Sequence, residues 1–171
     1  MKNIKWVNEG EKHYLKSDAE TLIDLTIIPL KKPSFIINQQ KYTVSNKGFW
    51  NPAYVISCND QEVVKITHSI WGGNGKVVFS DGEICSTHYS NKGGLKLRFL
   101  KDENELLVYG IEFVNKKPVL TFNIGTTLID AEKILLLSAI GMIIFSTIFN
   151  EVATGSDATT TALLATVIST I

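Results

Sequence analysis

Near the carboxyl end, residues 134–149 read ILLLSAIGMIIFSTIF, sixteen positions without a charged side chain. A helix of that composition is apolar all round, so it must be surrounded on every side by protein or by lipid. At about 1.5 Å per residue the run spans roughly 24 Å. A bilayer core of about 30 Å usually takes around 20 apolar residues. Length therefore favours burial in protein over a membrane span. Asp130 stands where an N-cap belongs, because its carboxylate can accept unpaired N–H groups of the first turn. Asp130 and Glu132 also suit the positive end of a helix dipole. The helix is expected over residues 131–150.

The preceding 129 residues read as β throughout: short runs rich in Val, Ile, Thr and aromatics, separated by Gly, Asn, Asp or Pro. About twelve such runs occur, at 4–7, 13–16, 22–28, 34–37, 41–45, 53–57, 62–68, 76–80, 83–89, 95–100, 105–113 and 118–124. Cys58-Asn59-Asp60-Gln61 and Asp81-Gly82 are placed as hairpin turns. Lys41-Tyr42-Thr43-Val44 and Leu95-Lys96-Leu97-Arg98-Phe99 alternate, so one face of each strand is expected to be buried. Side chains alone fill a barrel of about eight strands, and wider barrels leave a lumen. A helix about 10–12 Å across would occupy that lumen. The expected fold is mainly β, a closed antiparallel barrel of about twelve strands enclosing one hydrophobic C-terminal α-helix, as a single domain over 1–150. Residues 151–171 are rich in Ala and Thr and are expected to form a short helix or a loose tail.

Composition narrows the function classes. Lys+Arg and Asp+Glu each number 17, so the chain lacks the basic excess of a nucleic-acid binder. A hydrophobic fraction of 44% with 20% charged residues excludes wholesale disorder. Cys58 and Cys85 allow at most one bridge and form no CxxC pair. The polar N-terminus has no apolar run of the secretion-signal kind, and no Asn-x-Ser/Thr sequon occurs. A cytoplasmic setting with both thiols reduced is expected, with peripheral membrane contact possible in principle.

No pattern of an enzyme active site, cofactor or metal centre stands out. His13, His68 and His88 are far apart, and the odd Cys85-to-His88 spacing sends the two side chains to opposite faces of a strand. Gly72-Gly73-Asn74-Gly75 lacks the Lys-Ser/Thr of a phosphate-binding loop. Asp18/Glu20 and Asp102/Glu103/Glu105 fit solvated turns better than acid–base pairs. Three residues have a binding chemistry: Lys47, Phe49 and Trp50, aromatics beside a lysine at a loop tip, which suits a membrane interface or a partner surface. The competing reading folds Trp50 back as a core anchor. Lys31-Lys32 and Lys116-Lys117, each before a proline, could meet acidic headgroups or simply stay solvated. Ser45-Asn46-Lys47-Gly48 recurs as Ser90-Asn91-Lys92-Gly93, either by chance or as the mark of a repeated hairpin.

Lys41-Tyr42-Thr43-Val44-Ser45-Asn46-Lys47-Gly48-Phe49-Trp50, then Ala53-Tyr54-Val55-Ile56, then Glu62-Val63-Val64-Lys65-Ile66, give strand, aromatic turn, strand, turn and strand. This succession resembles the Tubby C-terminal-like superfamily, which includes the LURP-one-related and phospholipid-scramblase-like proteins. Asp130 followed by Leu135-Leu136-Leu137-Ser138-Ala139-Ile140 resembles its C-terminal core helix. The likeness covers about residues 33–150. It implies a closed barrel around a buried helix, and functions that range over phosphoinositide binding, membrane association and lipid scrambling. It transfers no catalytic motif. The expectation is a non-enzymatic binding or scaffold module, recognising membrane lipid headgroups or a protein partner through barrel loops. The alternatives are a soluble β-domain anchored to a membrane by helix 134–149, and an enzyme whose site the sequence does not reveal.

Overall fold

The computed structural model describes residues 4–18, 20–28, 30–47, 53–68, 74–90, 95–115, 117–125 and 128–154. Twelve strands run in chain order: β1 (Lys5–Glu9), β2 (Lys12–Lys16), β3 (Thr21–Thr26), β4 (Ser34–Ile37), β5 (Gln40–Lys47), β6 (Ala53–Cys58), β7 (Gln61–His68), β8 (Asn74–Phe79), β9 (Ile84–Ser90), β10 (Leu95–Lys101), β11 (Asn104–Val114) and β12 (Lys117–Ile124). Each pairs antiparallel with its neighbour in sequence, in one twelve-stranded sheet. All twelve expected strands are present, within a few residues at each end. The sheet curls into a nearly closed barrel. Among the described residues no ladder joins β12 back to β1, so the ring has a seam there.

The helix α1 (Ala131–Thr154) fills the barrel and runs four residues beyond the expected end at 150. Asp130 caps it: Glu132 N–H donates to Asp130 Oδ1 at 2.8 Å. Residues 136–146 are buried without a break, three full turns with no solvent face. Over residues 136–146 the sheet wraps the helix on every side. Its nearest walls are β11, β12, β3 and β4.

Strand alternation sorts the walls. In β9, Cys85 and Thr87 point inward while Ile84, Ser86 and His88 are exposed. In β10, Leu95, Leu97 and Phe99 line the interior. Several hairpins are tight. Asn38-Gln39, Asn59-Asp60 and Asp102-Glu103 have positive φ at both central residues, the twist that two-residue hairpin loops require. The β8–β9 turn uses Gly82 at φ 87°.

The repeated tetrapeptide is not in equivalent register: Ser45 pairs with Val55, whereas Ser90 pairs with Lys96. Ser45, Asn46 and Lys47 end β5 and Ser90 ends β9, and the hairpins that follow, β6–β7 and β10–β11, match in their bulges. Each closes on a two-residue turn, and each second strand then bulges, at Val63 and at Leu106. The bulged carbonyls are taken up in the same way. Val63 O accepts from Ser80 N–H, and Leu106 O from Gly125 N–H, both at 2.9 Å and both just past the next strand. The strand sets β5–β8 and β9–β12 are two copies of one plan.

Candidate functional site

The meander gives the barrel two unlike ends. At the lower end the helix enters and the turns are short. They carry Asp18, Glu20, Asp60, Asp81, Asp102 and Glu103. Lys133, in the first helical turn, pairs with Asp81 and Glu83 of the β8–β9 turn, and Glu83 also pairs with Lys101 of β10. The Lys133 ammonium lies 5.1 Å from the centroid of the Phe79 ring. The lysines hold both carboxyls below their usual range, Lys101 and then Lys133 acting on Glu83, and Lys133 on Asp81. On the far side Tyr42 OH donates to Glu132 Oε1 at 2.8 Å. This end is fastened.

The upper end bears the exposed features. Residues 30–32 link β3 to β4, with Lys31 N–H donating to Ile28 O at 3.1 Å. Leu30 sits at φ 64° and is fully exposed, with Lys31 and Lys32 exposed beside it. Single exposed apolar residues are common on protein surfaces; what Leu30 adds is an apolar side chain next in sequence to two exposed cations.

A second feature is the β11–β12 hairpin. Among the described residues the β10–β11 ladder runs to Leu95 opposite Ile111. Glu112, Phe113 and Val114 pair with Val119, Pro118 and Lys117 of β12. The β11–β12 hairpin exposes Phe113, Val114 and Val119. Glu9, Glu11 and Glu112 are also at this end, so the rim is mixed in charge and its cations are local.

Of the three expected binding residues, Lys47 closes β5 at this same end. Its side chain is 63% exposed and its Nζ lies 3.7 Å from Glu62 Oε2. Exposed pairs of this kind contribute little. Phe49 and Trp50 lie outside the described residues, as does Lys116. Leu30 and the Phe113/Val114 ribbon were not singled out from the sequence. The available signals were an apolar residue between Pro29 and Lys31-Lys32-Pro33, and a β11 longer than its neighbours.

The remaining chemistry is dispersed. Cys85 and His88 point to opposite sides of β9, as their spacing requires. Burial pushes the Cys85 thiol up to about 11, with Glu83 adding to it, which leaves little thiolate for nucleophilic work. Cys58 and Cys85 are not bonded to each other. His13 Nδ1 lies 2.9 Å from Asn8 Oδ1. Glu105 forms an ion pair with Arg98 at 3.1 Å. Among the described residues no group of three His, Cys, Asp or Glu is arranged to hold a metal.

No known protein family, no curated protein and no solved structure matches this chain. Among the described residues no helix is long and apolar enough to cross a membrane.

Proposed function

We propose that this chain is a non-enzymatic binding module of the tubby-like type, which docks its upper rim on the acidic lipid headgroups of a cytosolic membrane face. The observation that carries the reading is Leu30, fully exposed and followed in sequence by the exposed cations of Lys31 and Lys32. An apolar tip gains by entering the headgroup region, and each lysine near an acidic surface adds about 1 kcal/mol. Lys47 closes β5 at the same end, and Phe49 and Trp50 follow it in sequence. The barrel positions those loops, and the helix serves as core.

Sedimentation with neutral vesicles and with vesicles containing phosphatidylserine tests this. Binding is expected only to the acidic vesicles, weakened by salt and by Lys31→Glu with Lys32→Glu. Equal and negligible binding to both vesicle types removes the lipid reading. A protein partner is the second reading, favoured by Phe113, Val114 and Val119, exposed together on the β11–β12 hairpin.

A further inference from the structure

At the lower end of the seam the barrel leaves a cavity of about 290 Å³. Ile4, next to β1, and Ile124, the last residue of β12, face each other across it without a ladder between their strands. Ile134 and Leu135 of the helix and Leu22 of β3 supply the other apolar walls. Leu22 is the bulged residue of the β2–β3 hairpin, where Leu15 pairs with Ile23 and Lys16 with Thr21. The bulge places an extra side chain in the wall.

The polar atoms of the lining come from Ser17 and Glu20, in the turn at the rim. Those of Ser17 are already engaged. Its Oγ lies within hydrogen-bond distance of Glu20 N and Glu20 O, and its N–H donates to Glu20 O. A buried water needs about two to four polar partners, and these walls do not provide them. The volume is at the small end of ligand pockets, about 300 Å³. Glu20 lines the cavity and is exposed, so it brings a negative charge to this end of the seam.

We propose that the seam cavity binds a single alkyl chain carrying a cationic head group. The chain lies against Ile124, Ile134 and Leu135, and the head group meets Glu20. The site is at the opposite end from the membrane-docking rim, so the two readings stand or fall separately.

The test is a titration of the methyl-labelled full chain with decylamine and with decanoate, each below its micelle-forming concentration, followed by NMR. Decylamine should produce saturable shifts at the methyls of Leu22, Ile124, Ile134 and Leu135. Decanoate should bind about tenfold more weakly, since one exposed carboxylate attracts the first head group and repels the second. Leu22→Trp should fill the space and abolish the shifts. Glu20→Gln, an exposed substitution that leaves the walls intact, should remove the preference for the amine. Shifts that do not saturate, shifts scattered over the surface, or an amine preference that survives Glu20→Gln would overturn the proposal.

Discussion

The ring of Tyr109 lies directly on the backbone of the core helix at Gly141. A Cβ added at 141 would overlap Tyr109 Cε2 and stand 2.7 Å from Cδ2. Tyr109 is fully buried, and its ring also meets Phe145, with centroids 5.6 Å apart. Alanine is the better helix former by about 1 kcal/mol. Here packing reverses that preference, because neither the ring nor the helix has room to retreat. Gly141→Ala is expected to destabilise the protein by about 1–3 kcal/mol, as overpacking does. A urea midpoint that rises instead would refute this contact.

Tyr109 also spans the seam. Its hydroxyl donates to Ser138 O at 2.7 Å and accepts from Trp6 Nε1 at 2.8 Å. It thereby ties β1 to β11 and to the helix, although β1 and β12 share no ladder. Trp6 meets Phe122 of β12 edge-on, at 6.3 Å between centroids. Tyr109→Phe leaves the Trp6 N–H and the shared carbonyl without this partner, which should cost about 1–3 kcal/mol. Faster exchange of the Trp6 indole proton in the variant is the specific readout.

The Glu83 carboxylate joins helix to sheet through Lys133 and Lys101. Its folded pKa is depressed, below an unfolded glutamate value of about 4.3. In that interval the unfolded chain binds more protons, so stability falls as the pH falls. The contribution is complete above the unfolded value and is lost as acid carries the solution through the folded one. Asp81, depressed chiefly by Lys133, acts in the same direction. Glu83→Gln should be less stable near neutral pH and should show a shallower loss on acidification. Denaturation midpoints measured between neutral pH and pH values below the carboxylate range test this, and parallel curves for the two proteins would refute it.

Removing everything after Asp130 separates a wrapped helix from an appended one. The helix contributes Leu137, Ile140 and Phe145 among its fully buried side chains. Each large apolar side chain of this kind is worth about 1.5–3 kcal/mol when buried. Without them the inward faces of the strands meet water. The truncated chain should aggregate or bind hydrophobic dyes. A soluble, cooperatively folding β-domain would show that the helix is dispensable.

The sequence by itself determined the strands, the tight turns and the helix start. Strand alternation, turn residues such as Asn59-Asp60, and the cap at Asp130 are written in a few neighbouring positions, because they depend on φ/ψ preference and on which face is buried. The apolar run dictated a helix with no wet face, and the number of strands dictated a barrel wide enough to hold it. Tertiary structure alone decided that β1 and β12 stop short of pairing, that Leu22, Val63 and Leu106 bulge, and that Leu30 stands in solvent. It also decided that Lys133 meets Asp81, 52 positions away. These depend on register and strand tilt accumulated around the whole ring, where each ladder shifts the next. No local stretch of chain holds that sum, and the rim, the seam and its cavity all follow from it.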